Sequence, residues 1–332
     1  MKVIIQIPCF NEEATLPVTL KDLPRSLPGV DEIEVLIIDD GSRDRTVEVA
    51  RAEGVHHVVG FRKNQGLAKA FMLGIQAGLQ RGADIIVNTD ADNQYVGADI
   101  EKLVLPILER RADIVIGARP ITSIEHFSFV KKLLQRLGSA VVKLVSGTTV
   151  EDAPSGFRAF SREAALHLNV FNRYTYTLET IIQSGQKNFN VVSVPIRVNG
   201  ELRPSRLVRS IPAYVRKSMT TIVRMFVVYR PFRFFMAVGS VLFLAGFAIG
   251  ARFLYHYVVH GGAGKIQSLI LASVLLMMGF HTILLAFIAD LLSVNRRLLE
   301  ELQAAERARA FRPGSGGALP PASLGYSEHP GL

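Results

Sequence analysis

Two carboxylates, Asp90 and Asp92, stand one alanine apart in the stretch NTDADNQY (Asn88–Tyr95), directly after the apolar run Ile85-Ile86-Val87. A short apolar run of this kind reads as a buried strand. Both acids therefore emerge at its mouth, where their mutual repulsion raises the free energy unless a cation sits between them. A divalent cation held there would neutralise a diphosphate and stabilise it as a leaving group. Other uses of the pair fit less well. As a calcium loop, Asp90, Asp92, Gln94 and Glu101 fall in the register of an EF-hand, but Tyr95 stands where the sharp turn requires glycine, and a strand rather than a helix precedes it. A glycosidase pair needs an acid and a base on opposite sides of a sugar, which two acids one residue apart on a loop do not supply. A solvated turn is the ordinary reading of an isolated Asp-x-Asp, so the neighbours of this one decide.

The elements that must position the pair alternate in type over the first 200 residues or so. Strand-like runs occupy Lys2–Ile7, Glu34–Ile38, His57–Gly60, Ile85–Asn88, Ile114–Gly117 and Val191–Pro195. Helical patterns occupy Glu13–Leu23, Arg45–Glu53, Gly66–Arg81, Ile100–Arg110, Val130–Ser146 and Thr177–Gly185. Alternation of this kind predicts an α/β fold, a doubly wound and mainly parallel sheet with helices on both faces. Ligands in such sheets bind at the carboxyl ends of the strands. The polar stretches Pro8–Glu13, Asp39–Asp44 and Thr89–Tyr95 all follow strands and should converge on one edge. Neither a Walker A loop nor a strand-following G-x-G-x-x-G occurs, so the usual glycine-rich diphosphate cradles are missing.

At 332 residues, with 49% hydrophobic content and a mean hydropathy of +0.27, the chain is more apolar than an ordinary soluble protein. The excess is local. Two segments, about 234–259 and 266–289, are long enough as helices to cross a bilayer, which takes roughly 20 apolar residues, and only His260–Lys265 joins them. The net charge of +9 is regional too: from Leu202 to Ala289 there is no acid but ten Lys or Arg, and the rest of the chain is balanced. Basic residues massed beside an apolar hairpin fit anionic lipid headgroups; the balanced remainder, which has no helix-turn-helix, zinc-finger or RNP motif, argues against nucleic acid. Arg224, Arg230 and Arg233 before the hairpin and Arg296-Arg297 after it, against Lys265 in the turn, predict that both flanking parts are cytoplasmic. The organisation expected is a catalytic domain over 1–209, a basic amphipathic juxtamembrane segment over 210–232 lying on the membrane face, two spans within 233–293, and a tail over 294–332 whose Gly-, Pro- and Ser-rich end is disordered. The single cysteine, Cys9, excludes an internal disulfide and reads as a small buried residue of the first strand.

Six stretches in order, IPCFNEE (Ile7–Glu13), IIDDGSRDRT (Ile37–Thr46), KNQGLAKA (Lys63–Ala70), NTDADNQ (Asn88–Gln94), DIVIGAR (Asp113–Arg119) and APSGFRAFSREA (Ala153–Ala164), resemble family 2 glycosyltransferases with the GT-A fold. The likeness is nearest to polyprenyl-phosphate glycosyltransferases of the dolichol-phosphate-mannose synthase type, and it covers residues 1 to about 210. The resemblance implies a nucleotide-sugar pocket lined by Pro8, Phe10, Asn11, Glu12, Asp39, Asp40, Lys69, Asp90, Ala91 and Asp92, with Asp39 receiving the base. It implies a Mg²⁺ or Mn²⁺ on Asp90 and Asp92, extended by Gln94, and a phosphate-binding Arg119 on the acceptor side. Lys131, Lys132 and Arg136 match the family's next basic segment loosely, with Lys131 where an arginine and Gln135 where a serine is usual. Arg203, Ser205 and Arg206 replace its Gly-x-Ser-Lys segment. Ser155, Gly156 and Arg158 fit its SGFR motif as supporting residues, and Glu179 in TLET is a structural or sugar-contacting acid, or a base if the acceptor is a hydroxyl.

The chemistry so implied is inverting transfer of a sugar from a nucleoside-diphosphate donor to a polyprenyl phosphate. A phosphate monoester, with a second pKa of about 6, is already ionised near neutrality and needs cations rather than a base. Other readings are a family 2 transferase acting on a lipid or glycan hydroxyl, and a membrane-tethered nucleotide-sugar binder without activity. A processive polysaccharide synthase is excluded by the lack of any tryptophan for a Gln-x-x-Arg-Trp motif, and a nucleotidyltransferase by the lack of a glycine-rich first loop. A homo-oligomer is compatible with all of these.

Overall fold

The computed structural model describes residues 1–120, 143, 146–148, 150–170, 176–200, 220, 223–224, 226–261, 266–311 and 326–328. The helix expected over Val130–Ser146 and the amphipathic segment 210–232 fall largely outside the described residues. The chain forms two compact units, Met1–Ser218 with Glu300–Leu332, and Met219–Leu299.

The first unit is built on β1 (Lys2–Cys9), β2 (Glu32–Asp39), β3 (His57–Phe61), β4 (Ile85–Asn88), β5 (Ile114–Ala118), β6 (Arg158–Ser161), β7 (Val191–Pro195) and β8 (Tyr326–Glu328). They form one sheet in the order β7-β5-β6-β4-β1-β2-β3-β8. β1 to β4 run parallel, β7 is parallel to β5, and β6 is antiparallel to both β4 and β5. The central strands are β-branched and buried on both faces, as parallel strands covered by helices must be. Alternate residues of β1 accordingly enter different cores. Ile4 packs with Phe71 and Ile75 of α3 (Leu67–Gln80), Ala164 of α5 (Arg162–His167) and Ile181 of α6 (Thr177–Gln186). Val3, Ile5 and Ile7 pack with Leu16 of α1 (Leu16–Asp22), Ala50 of α2 (Thr46–Ala52) and Leu103 of α4 (Ile100–Leu108).

All six strands expected from the sequence are present. β6 and α5 were not legible: β6 is four residues long and begins with a fully buried arginine, which hides its apolar pattern. The Ser161 hydroxyl caps α5 by accepting from the Ala164 N–H at 3.2 Å. Three residues of the tail also join the sheet. Tyr326–Glu328, read as disordered by composition, pairs antiparallel with β3, whose outer edge otherwise leaves backbone groups unpaired. Nearer the end of the last helix, Arg307 donates to the Leu168 carbonyl at 2.7 Å and Asn169 Oδ1 at 2.8 Å, and Phe311 is buried in the first core.

The second unit contains α7 (Pro231–His260) and the apolar part of α8 (Ile266–Ala310), both long and apolar enough to cross a membrane. Their large side chains are mostly exposed, Val241, Leu254, Ile266 and Leu292 among them, which a lipid solvent accepts and water does not. Small residues let the backbones meet. A Cβ at Gly246 would lie 2.8 Å from the Leu276 nitrogen, and one at Gly279 would lie 2.5 Å from the Phe243 nitrogen.

Candidate active site

The loops after β1 and β2 are knitted to each other. Asn11 adopts a left-handed conformation, φ 55°, which turns its N–H onto Ser42 Oγ (2.9 Å) while its Oδ1 accepts from the Arg43 N–H (2.8 Å). Glu12 is buried; its N–H reaches Thr46 Oγ1 (2.9 Å), and its carboxylate accepts from the Thr15 hydroxyl (2.8 Å). Asp39 ends β2 and accepts from the Ser42 N–H at 3.0 Å. Its neighbour Asp40, expected at the nucleotide, commits one oxygen to the Gln65 N–H (2.7 Å) and the other to the Gly66 N–H (2.9 Å), bracing the loop that starts α3. Burial holds the Asp40 carboxyl above its usual range despite those two donors. Lys69, in the first turn of α3, donates to Gln65 Oε1 at 2.9 Å.

The acidic loop leaves β4 through Asn88, which is fully buried. Asn88 Oδ1 accepts from Gln6 Nε2 at 2.9 Å, and its Nδ2 donates to the Gly156 carbonyl and the Tyr176 hydroxyl, both at 2.9 Å. The Tyr95 hydroxyl accepts from the Gly156 N–H at 3.2 Å. Gly156 thus lies between two tyrosines, and a Cβ on it would stand 3.1 Å from both Asp90 oxygens. Burial first, and the charge of Asp90 second, raise the pKa of both tyrosines, which stay protonated. Further along, the Ala91 carbonyl accepts from Thr19 Oγ1 (3.0 Å), and Asp92 Oδ1 accepts from the Gln94 N–H (3.3 Å). No group of three His, Cys, Asp or Glu is assembled for a metal among the described residues. A cation here would take two carboxylates from the protein and complete its shell with water and ligand oxygens, the mode in which Mg²⁺ and Mn²⁺ meet phosphates.

Arg119 follows β5 and grips the buried Asp152, its Nε donating to Oδ2 at 2.7 Å and its Nη2 to Oδ1 at 3.1 Å. Burial works against the guanidinium charge, but the hydrogen bonds and charge of Asp152 and the charge of Asp90 hold its pKa above the usual arginine value. The fork leaves Nη1 outside the Asp152 pair. Arg158 is fully buried and donates to the carbonyls of Ala153 (2.7 Å), Ser155 (2.7 Å) and Thr177 (2.8 Å) and to Thr180 Oγ1 (2.6 Å). Burial pulls its pKa down to about 10, so it remains charged near neutrality as the pin of the loop that carries Gly156. Glu179 is buried on the same helix as Thr177 and Thr180.

The carboxyl edge of the sheet thus gathers Pro8, Phe10, Asn11, Glu12, Asp39, Asp40, Asp90, Ala91, Asp92, Gln94 and Arg119, with Ser155, Gly156 and Arg158 beneath. Lys131, Lys132, Arg136, Arg203 and Arg206 lie outside the described residues. Asn88, Tyr95, Asp152 and Tyr176, which brace this loop, were not singled out from the sequence. Asn88 and Tyr95 bound the acidic stretch and Asp152 stands directly ahead of the SGFR stretch, whereas Tyr176 carries no local signal.

The family model described as Glycosyl transferase family 2 matches residues 4–168. An uncharacterized glycosyltransferase of Mycobacterium bovis is 30% identical over 216 residues, 61% of this chain and 92% of that one. The chain belongs to glycosyl transferase family 2. The undecaprenyl-phosphate mannosyltransferase of Micrococcus luteus is similar to this family 2 transferase at 29% identity over 218 residues, 62% of this chain and 88% of that one. Among solved structures, glucosyl-3-phosphoglycerate synthase from Mycobacterium tuberculosis, in complex with Mn²⁺, UDP and phosphoglyceric acid, superimposes with a TM-score of 0.55 at 23% identity, over 68% of this chain and 78% of that one. That likeness carries the fold of the transferase and no more.

Proposed function

We propose that this family 2 glycosyltransferase moves a sugar from a nucleoside-diphosphate donor to the phosphate of a polyprenyl phosphate, with inversion, at the cytoplasmic face of a membrane. The observation that carries the reading is the pairing of opposite charges about one loop: Gly156 stands against Asp90, and the next residue, Phe157, accepts through its carbonyl from the Gly117 N–H at 2.8 Å, two residues before Arg119. The relative that acts on undecaprenyl phosphate and the two apolar helices support a lipid acceptor. Basic residues flanking those helices support the cytoplasmic face.

In this reading Asp90 and Asp92 hold a Mg²⁺ or Mn²⁺, Gln94 adjoining, which when bound offsets the charge of the donor diphosphate. Asp39 and the Phe10–Glu12 loop receive the nucleoside, with Pro8 and Ala91 lining it and Lys69 near its phosphates. Arg119, with Lys131, Lys132, Arg136, Arg203 and Arg206 as further cations, draws the acceptor phosphate alongside. An acceptor oxygen forms the new bond to the anomeric carbon as the bond to the diphosphate oxygen breaks, and the electron pair leaves with the nucleoside diphosphate. No proton has to move, because the acceptor arrives ionised.

The test is nucleoside-diphosphate release by the detergent-purified protein with Mg²⁺ or Mn²⁺, a panel of UDP- and GDP-sugars, and polyprenyl phosphate present or absent. Release that requires both metal and lipid phosphate is expected. Donor binding without lipid-dependent release would move the reading to a hydroxyl acceptor or to a binder without activity.

A further inference from the structure

The segment that follows β7 runs from the end of β5 to the acidic loop and is hydrogen-bonded along its length. The Ile196 N–H donates to the Ala118 carbonyl at 3.1 Å. Arg197 binds the buried Asp99 through its backbone N–H (2.6 Å to Oδ2) and its guanidinium (Nη2 to Oδ1, 2.8 Å). Val198 and Tyr95 form an antiparallel bridge. Asn199 then donates three times: from its N–H to the Gln94 carbonyl (2.9 Å), and from its Nδ2 to the carbonyls of Asn93 (3.1 Å) and Tyr95 (3.4 Å).

Three successive carbonyls, beginning one residue after Asp92, therefore converge on one asparagine. Within the turn itself the Gln94 N–H donates to Asp92 Oδ1 at 3.3 Å, and the carbonyls of Asn93, Gln94 and Tyr95 are met from outside it by Asn199. Asn93 sits at φ 53°, a left-handed conformation that asparagine tolerates better than other residues with a Cβ. With the metal absent, repulsion from Asp90 favours any movement that carries Asp92 away. The Asn199 side-chain amide supplies two N–H donors, one for each of the two carbonyls that the Asn199 backbone does not reach.

We propose that Asn199 is a positioning residue that holds Asp92 in its metal-binding place before the metal arrives, so that the strap formed by 196–199 sets metal affinity. This rests on the reading of Asp90 and Asp92 as metal ligands. Loss of the two side-chain bonds in Asn199→Ala should raise the Mn²⁺ concentration for half-saturation roughly fivefold to tenfold, the scale of one or two neutral hydrogen bonds. The apparent KM for the lipid acceptor should stay unchanged.

Mn²⁺ binding is measured by electron paramagnetic resonance on the purified full-length protein with UDP, and in parallel GDP, without acceptor or turnover. Wild type, Asn199→Ala, Arg197→Met and Asp92→Asn are compared, each with its thermal midpoint. Weaker Mn²⁺ binding in a folded Asn199→Ala is the expected result. Unchanged affinity there, while Asp92→Asn loses Mn²⁺, overturns the strap and leaves the metal reading standing. Unchanged affinity in Asp92→Asn as well overturns the metal reading and the strap with it. If Asn199→Ala fails to fold, the same comparison is decided by Arg197→Met, which loosens the strap from the exposed side of its ion pair.

Discussion

Arg119 and Asp152, 33 residues apart in the chain, close a two-point ion pair at 2.7 and 3.1 Å in which the carboxylate is buried and the guanidinium nearly so. The pair fixes the guanidinium that the proposed reaction needs near Asp90. Without Asp152 the guanidinium would lose its two-point partner and keep only the charge of Asp90 as a carboxylate counterpart. Asp152→Ala should cost about 3–5 kcal/mol, the usual consequence of leaving one member of a buried pair alone. The check is the thermal or denaturant midpoint of the variant, and a loss below about 1 kcal/mol would place the pair with weak surface bridges instead.

Gly156 supports Asp90 by having no side chain. In Gly156→Ala the new methyl would stand 3.1 Å from both Asp90 oxygens and from the Tyr176 hydroxyl, so the carboxylate must shift by a few tenths of an ångström. We expect kcat to fall by about tenfold or more, since small misplacements at a reacting centre are costly, with a minor change in thermal midpoint. A variant with wild-type kcat would detach Gly156 from the placement of Asp90.

Asp99 responds to pH with a definite sign. Burial alone would raise its pKa, but hydrogen bonds from Arg197 and then Lys102 outweigh that and draw it down to about 2. Its folded value lies below the ordinary aspartate value of about 3.9, so its contribution is complete above that value and is lost as the pH falls toward 2. Wild-type stability should therefore drop between pH 5 and pH 2 more steeply than that of Asp99→Asn, as followed by unfolding at a series of pH values. Parallel curves would mean that Asp99 is not held by its partners.

Among the glycines between the two apolar helices, Gly279 leaves the least room for a side chain. A Cβ there would meet the Phe243 backbone nitrogen at 2.5 Å, which cannot be relieved by turning a side chain. Gly279→Leu should separate the helices and lower the thermal midpoint of the detergent-purified protein. Gly250→Leu, at a site where a Cβ would lie 3.8 Å from Ala272, should be far milder. Equal effects would argue that close backbone approach is not what joins the pair.

The sequence by itself determined the class of the fold, the edge of the sheet where Asp39, Asp90 and Asp92 emerge, and the two apolar helices. All of these follow from local periodicity and run length, which report burial within one element. It did not reveal β6, where an arginine heads a buried strand, or the strand at Tyr326–Glu328, which exists because the β3 edge has groups to satisfy. Tertiary structure alone decided that Asp40 braces a loop, that Asp152 answers Arg119, and that Asn199 holds the carbonyls beside Asp92. Each of those is a hydrogen bond between segments far apart in the chain. A polar side chain that satisfies a buried group has the same letter as one that faces water, and only the folded neighbourhood tells them apart.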